Sequence, residues 1–339
     1  MQKRRILLMV LAVGVLVLYR QINPIKTLIL QHVTGTTMGT IPYSIKYIAA
    51  QEDDYKKEID SILVALNQSL STYIPDSEIS RFNQNDTIIF ESGFMHPVLQ
   101  MSKEIFENSG GAYDPTIGPL IDAWGFGPKK KSSLDSTIVD SLLQVVGFEQ
   151  VTFDESSAHK PAHTSLSFSA SAKGYALDVI ADFLKSQNID HYMIEIGGEV
   201  RCQGQNQNQT VWKIGIETPE MSQTVGHPFA TVFVKNRSLA TSGNYRNYYK
   251  ENDRIISHTI SPFTGYPISH HLLSASIFAN NCTIADGYAT ACMVLGLEES
   301  IRMIEKLNGV DAFFIYSETD GTLKSYATAG IRSQIEILP

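Results

Sequence analysis

Hydrophobic and polar positions follow first the period of a strand and then that of a helix in the stretch from residue 257 to 296. The apolar run from Leu272 to Ala279 has the alternation and the β-branched content of a strand. After the polar loop Asn280-Asn281, a helix that starts near Asp286 would place Asp286 and Thr290 one turn apart, so that both face the same way.

The two side chains on this face are chemically suited to a metal. A carboxylate and a hydroxyl offered together are hard oxygen ligands, the kind that Mg²⁺ takes beside phosphate oxygens. The alternative is that Asp286 is the N-cap of a helix that faces the core. The presence of His258 just upstream, before a Ser-Pro-Phe-Thr-Gly turn, favours a functional site.

Strand-like and helix-like patterns alternate along the rest of the chain. Strands are predicted as a pair around a turn over 27–47, and singly over 191–196, 229–234, 238–245 and 312–316. Trp212 to Ile216 is predicted to return from a hairpin tip at 203–210. Helices are predicted over 54–70, 96–109, 134–146 and 298–307. This pattern, with no linker and no repeat, predicts a mixed α/β (α+β) fold with one domain over 27–339.

A second informative stretch runs from Leu166 to Asp178. A strand-like start passes through small residues into a helix whose apolar face includes Ala176 and Ile180. Small residues before a helix N-terminus expose amide N–H groups to an anion, and Lys173 adds a positive charge. No Walker A motif and no Gly-x-Gly-x-x-Gly accompany it, so this signal is weak on its own.

The N-terminus has the pattern of a membrane segment. Lys3, Arg4 and Arg5 precede an apolar run from Ile6 to Tyr19, which Arg20 ends. The run is shorter than the roughly 20 residues that span a bilayer comfortably, but its flanking charges follow the positive-inside rule. No small-residue cleavage site follows. Residues 1–26 are therefore predicted to be an uncleaved signal anchor in the cell inner membrane, with the catalytic domain on the periplasmic or extracytoplasmic side.

Composition narrows the class of protein further. The chain has 339 residues, of which 43% are hydrophobic and 18% charged, as in a globular protein. A net charge of −8 without a basic cluster beyond the N-terminus argues against a nucleic-acid partner. Cys202, Cys282 and Cys292 are widely spaced, so neither a zinc site nor a disulfide framework is predicted.

Several short motifs together resemble the FAD:protein FMN transferase family, also called ApbE. In order they are Thr37-Met38-Gly39-Thr40, Leu70-Ser71-Thr72-Tyr73, Tyr113-Asp114-Pro115-Thr116, Trp124-Gly125-Phe126-Gly127, Ala172-Lys173-Gly174-Tyr175, Ile196-Gly197-Gly198, Ala240-Thr241-Ser242-Gly243, His258 with Thr264-Gly265-Tyr266-Pro267, and Ala285-Asp286 with Thr290. They cover essentially everything from residue 34 onward.

The resemblance implies a T-fold-like, Mg²⁺-dependent, exported enzyme. It would split the FAD pyrophosphate, transfer FMN to a threonine hydroxyl of an acceptor flavoprotein, and release AMP. By resemblance, Asp286, Thr290 and the backbone carbonyl of Ala170 would hold the metal. His258 would be the base that takes the threonine proton, with Asp286 as the second catalytic residue. The residues implied to bind FAD are Met38, Tyr73, Ala112, Tyr113, Asp114, Ser167, Lys173 and Ile260.

Three positions depart from the common pattern of the family. Ser167 and Ser261 each stand where many members have an aspartate, and Ala289 replaces an acidic ligand that some members carry. Asp286 and Thr290 are retained, so metal binding is expected to survive. Two other functions stay open at this point: FAD hydrolysis to FMN and AMP, and flavin binding without turnover.

Overall fold

A central antiparallel sheet of eight strands organises the molecule. The computed structural model describes residues 28–51, 53–128, 134–219, 228–244, 248–251 and 254–338. Its strands are β1 (Leu28–Thr37), β2 (Ile41–Ala50), β3 (Thr87–Ile89), β4 (Thr152–Phe153), β5 (Ser157–His159), β6 (Tyr192–Ile196), β7 (Glu199–Gln203), β8 (Trp212–Glu217), β9 (Pro228–Val234), β10 (Arg237–Gly243), β11 (Tyr248–Glu251), β12 (Arg254–Ser257), β13 (Leu272–Ala279), β14 (Asp311–Ser317), β15 (Leu323–Ala327) and β16 (Ile335–Ile337). The large sheet has the order β1-β2-β6-β7-β10-β13-β14-β15.

Helices cover one face of this sheet. They are α1 (Lys56–Leu70), α2 (Glu78–Gln84), α3 (Met95–Asn108), α4 (Gly118–Ala123), α5 (Ser136–Leu143), α6 (Ala172–Ser186), α7 (Cys282–Leu295) and α8 (Leu297–Ile304). Helix α7 packs on β10, β13 and α6. The sequence-based expectation of an α+β fold is confirmed.

The other face of the sheet is covered by the smaller sheet β16-β9-β8. Two neighbouring residues of β13 show that both faces are buried. Ile277 packs in the cluster that contains α7, whereas Phe278 packs with Trp212 and Val232 of the small sheet. A strand that is buried on both faces is apolar at nearly every position, which explains the run from Leu272 to Ala279.

Two local predictions need correction. Helix α7 begins at Cys282, and its N-cap is Asn281, whose side chain accepts a hydrogen bond from Ile284 N–H. The alternative interpretation of Asp286 as an N-cap is therefore wrong, and Asp286 lies inside the helix. Strand β8 does not return to β7, because it pairs with β9 in the small sheet, while β7 pairs with β6 and β10.

The predicted signal anchor, residues 1–26, lies outside the described residues. Within the part of the chain that the structure describes, no helix is both long enough and apolar enough to cross a bilayer.

Candidate active site

A cleft of about 440 Å³ opens beside the N-terminal ends of α6 and α7. All but one of the residues singled out from the sequence line this cleft: Tyr73, Ala112, Tyr113, Asp114, Ser167, Ala170, Lys173, His258, Ile260, Asp286 and Thr290. The exception is Met38, which lies in the β1–β2 turn with a positive φ of 47° and packs half-buried on the core. Its role in FAD binding stays a prediction.

The N-terminal turns of α6 and α7 fix the position of Asp286. Gly174 N–H donates a 3.0 Å hydrogen bond to Asp286 Oδ2, so the N-terminal end of α6 holds a carboxylate of the protein itself. Gly174 is required for this close approach, because a Cβ there would lie 2.3 Å from the backbone oxygen of Cys282. The anion site predicted at this helix end is thus partly filled by Asp286.

Asp178 joins the same two helices one turn further along α6. Its carboxylate accepts hydrogen bonds from Cys282 N–H and Thr283 N–H, both at 2.8 Å, and from the Thr283 hydroxyl. Arg201 on β7 also pairs with it. Asp178 therefore satisfies two of the orphan N–H groups in the first turn of α7, those of Cys282 and Thr283, from outside that helix.

Two buried carboxylates share the ammonium group of Lys173. Lys173 Nζ lies 3.4 Å from Glu199 Oε1 and 3.7 Å from Asp286 Oδ1. Burial raises the pKa of Glu199 to about 8 and raises the pKa of Asp286, although Lys173 opposes both shifts. Burial alone would lower the pKa of Lys173, but the two carboxylates outweigh it and raise that pKa. This cluster therefore contains two carboxyl groups, Glu199 and Asp286, around one positively charged group, Lys173.

The loop that contains Tyr113 and Asp114 is held rigidly from within. The Tyr113 hydroxyl lies 3.0 Å from Ser102 Oγ and 2.8 Å from Ser171 Oγ, and burial raises its pKa to about 12. Asp114 accepts hydrogen bonds from the N–H and hydroxyl groups of Thr116, and burial raises the pKa of its carboxyl. Both side chains therefore shape the cleft wall through internal hydrogen bonds.

His258 reaches the cleft from the end of β12. Its ring lies 6.3 Å from that of Phe126, at 69° between the planes. The turn that follows is closed by Gly265 N–H, which donates to the Ser261 carbonyl at 2.8 Å. Ser261 Oγ also accepts from Phe263 N–H at 3.3 Å, so serine supplies the type of side-chain turn contact that an aspartate makes.

The mouth of the cleft is aromatic and continues into a second cleft. Tyr73 is 65% exposed, and its hydroxyl donates to the Phe126 carbonyl at 3.3 Å. The second cleft has a volume of about 600 Å³ and shares Tyr73, Phe126 and Ser167 with the first. Ser167 Oγ hydrogen-bonds to Ser169, which also lies in both clefts. Together the two clefts offer room for a ligand of dinucleotide size.

The oxygen donors fit a hard divalent cation. Asp286 and Thr290 lie in the cleft on one face of α7, and Ala170 lies just before α6. In the described ranges no group of three or more His, Cys, Asp or Glu side chains could hold a metal. Magnesium sites commonly combine one or two carboxylates with other oxygens and with substrate phosphates. Glu199 Oε2 is buried and has no hydrogen-bond partner among the described residues, which is what a cation would compensate.

Sequence reasoning missed two acidic residues of this region. Glu199 follows the Gly197-Gly198 pair and lines the cleft, and Asp178 lies within the second informative stretch. The only sequence signal for either was a charged residue in an otherwise apolar context. At the third departure from the family pattern, Ala289 is buried in the apolar cluster around α7.

Flavin transferases of known structure have this fold. The flavin transferase ApbE from Vibrio cholerae superposes with a TM-score of 0.79 at 34% identity, covering 91% of this chain and 100% of that one. A Pseudomonas stutzeri flavinyl transferase ApbE in its apo form gives 0.80 at 30% identity, covering 91% and 97%. The architecture is therefore that of the flavin-transferase class.

The chain belongs to the ApbE family, whose model matches residues 38–314. The FAD:protein FMN transferase of Vibrio cholerae is 36% identical over 311 residues, covering 89% of this chain and 91% of the relative. That of Haemophilus influenzae is 36% identical over 314 residues, covering 87% and 89%. The family resemblance read from the sequence is confirmed, and these curated relatives are transferases by name.

Proposed function

We propose that this enzyme is an FAD:protein FMN transferase that moves FMN from FAD to a threonine hydroxyl of an acceptor protein in a Mg²⁺-dependent reaction. The observation that carries the proposal is the convergence of a histidine, a lysine and a set of hard oxygen donors on one cleft. The names of the relatives support the FAD substrate and the FMN transfer. The threonine acceptor, the divalent cation and the release of AMP go beyond those names and are part of our proposal.

The reaction would exchange one phosphorus–oxygen bond for another. The threonine oxygen forms a bond to the phosphorus on the FMN side of the pyrophosphate, and the bond from that phosphorus to the bridging oxygen breaks. AMP leaves with the bridging oxygen, and His258 takes the threonine proton. Lys173 offers a positive charge to the phosphates, while the Tyr113–Asp114 loop and Tyr73 bind the rings of FAD.

The residues that would hold Mg²⁺ are Asp286, Thr290 and the carbonyl of Ala170. The cation would supply charge neutralisation at the phosphate oxygens as the bridging bond breaks. Asp286 is suited to this role because the Gly174 N–H and the α6 N-terminus fix its orientation before any ligand binds.

The test uses the chain from residue 27 with FAD, Mg²⁺ and a flavoprotein domain that carries an acceptor threonine. Mass spectrometry should show the acceptor gaining one FMN, with AMP released in equal amount. His258→Ala and Asp286→Asn should each lower the rate by at least about 100-fold. The matched controls are His32→Ala on β1 and Asp182→Asn on α6, which replace exposed residues of the same types outside the cleft.

Other outcomes would redirect the proposal. Release of AMP without an acceptor adduct, for several candidate acceptors, would indicate FAD hydrolysis with water as the nucleophile. Tight FAD binding with neither product would indicate a flavin-binding protein without turnover. Full activity of Asp286→Asn would contradict the assigned cation site.

We also propose that residues 1–26 anchor the enzyme in the cell inner membrane with the catalytic domain outside the cytoplasm. The support is the basic cluster before the apolar run from Ile6 to Tyr19. The full chain should remain with membranes after carbonate washing, whereas the chain from residue 27 should not. A C-terminal reporter that folds only after export should be active, and an inactive reporter would contradict the orientation.

A further inference from the structure

Glu199 is the one acidic residue in the wall of the cleft to which neither the proposed chemistry nor the family resemblance gives a role. Glu199 is 4% exposed, and among the described residues its ion-pair partner is Lys173, whose Nζ lies 3.4 Å from Oε1. Oε2 is buried without a hydrogen bond in the described part of the chain. Leaving a carboxylate oxygen buried and unpaired costs free energy, so its retention in a substrate cleft calls for a ligand.

The backbone of a tight turn presents Glu199 to the cleft. The β6–β7 turn consists of Gly197 and Gly198, both with positive φ, and Ile196 pairs with Glu199 across it. Residues paired in this way point to the same face of a sheet, here the helical face that carries α6 and α7. Glu195, which pairs with Val200, points to the opposite face.

The distances of Glu199 and Asp286 from Lys173 set an upper limit on the separation of the two carboxylates. Because Lys173 Nζ is 3.4 Å from one carboxylate and 3.7 Å from the other, the two oxygens are no further apart than the sum of these distances. Mg²⁺ binds oxygen at about 2.1 Å and usually keeps several waters, and a water donates hydrogen bonds at about 2.8 Å. The path from an Asp286 oxygen through the cation and one of its waters to a Glu199 oxygen spans at most about 7.0 Å, which is comparable to this upper limit.

We propose that Glu199 belongs to the cation site, where its free Oε2 accepts a hydrogen bond from the hydration shell of a divalent cation held by Asp286. Oε1 at the same time holds Lys173 beside the site. Glu199 is thus a positioning residue for the hydrated cation and not one of its direct ligands. This inference rests on the proposed function for the identity of the cation, but not for its test.

Cation binding is measured directly, without FAD or acceptor. Electron paramagnetic resonance of free Mn²⁺ gives the dissociation constant of the chain from residue 27 and of its Glu199→Gln variant. Loss of an outer partner of a metal ligand weakens binding by about 10- to 100-fold, and we expect a change in this range. Glu195→Gln, in the same hairpin but on the other face, should bind Mn²⁺ as the parent chain does.

A double-mutant cycle separates a direct effect from one that passes through Lys173. In a Lys173→Met background, Glu199→Gln should still weaken Mn²⁺ binding at least about 10-fold. An effect that disappears in this background would show that Glu199 acts only on Lys173 and would overturn the inference. So would an unchanged Mn²⁺ affinity in Glu199→Gln, or in Glu199→Ala if the glutamine variant does not fold. Failure of FMN transfer with normal Mn²⁺ binding would count against the proposed function alone.

Discussion

Single residues of the cleft have two kinds of role, and their burial separates them. Tyr73 and Tyr113 are both tyrosines of the predicted FAD site, yet the first is 65% exposed and the second 2%. The Tyr113 hydroxyl is engaged by two buried serines, whereas that of Tyr73 makes one long contact at the surface. Sequence similarity alone assigns both to the ligand, but the structure makes one of them part of the core.

This difference predicts unequal stability effects for the same substitution. Tyr113→Phe should lower the free energy of unfolding by about 1–3 kcal/mol, because Ser102 and Ser171 lose a buried partner. Tyr73→Phe should change it by less than about 0.5 kcal/mol. Urea unfolding followed by circular dichroism measures both free energies, and an effect of Tyr113→Phe no larger than that of Tyr73→Phe would contradict this prediction.

At the scale of elements, the site depends on how the first turns of α6 and α7 meet. The helical patterns of both segments were predictable, because their apolar positions recur at helical spacing. The contact between the helices was not, since it is made by Asp178 and Gly174 across more than 100 residues of sequence. Nothing in a local pattern records such a long-range hydrogen bond. The hairpin wrongly expected at Trp212 has the same origin, because pairing partners depend on the whole sheet.

Asp178 should therefore matter for both folding and catalysis. Asp178→Ala leaves Arg201 without its carboxylate and Cys282 and Thr283 without their acceptor, which should cost about 3 kcal/mol or more of unfolding free energy. It should also slow FMN transfer, because the helix that carries Asp286 loses its support. Asp182→Ala, one turn further along α6 and exposed, should cost less than about 0.5 kcal/mol. A stable Asp178→Ala protein with normal activity would refute this role.

For the whole molecule, the sequence was sufficient for the class of fold and for most of the cleft. Strands buried on both faces and amphipathic helices are readable from hydrophobic spacing, and the motifs brought eleven of the twelve singled-out residues to one cleft. The clustering of charged side chains in the cleft could not be predicted from the sequence. Glu199, Lys173 and Asp286 lie far apart in the chain and meet only when β7, α6 and α7 pack together.

That clustering of charged side chains predicts how the molecule responds to a cation. With Asp286 and Glu199 buried around one ammonium group, a divalent cation should bind the folded state and not the unfolded chain. At a Mg²⁺ concentration about 100 times the dissociation constant, linkage adds about 2.7 kcal/mol, or roughly 5 °C in the unfolding temperature of a domain of this size. Differential scanning fluorimetry without FAD should show this rise in unfolding temperature for the parent chain, and most of the rise should be absent in Asp286→Asn.

A comparison of Ca²⁺ with Mg²⁺ tests how rigid the oxygen donors are, because both ions take oxygen ligands but only Mg²⁺ demands octahedral geometry. Equal stabilisation by both would indicate a site held by charge alone, whereas a larger effect of Mg²⁺ would follow from the fixed orientation of Asp286.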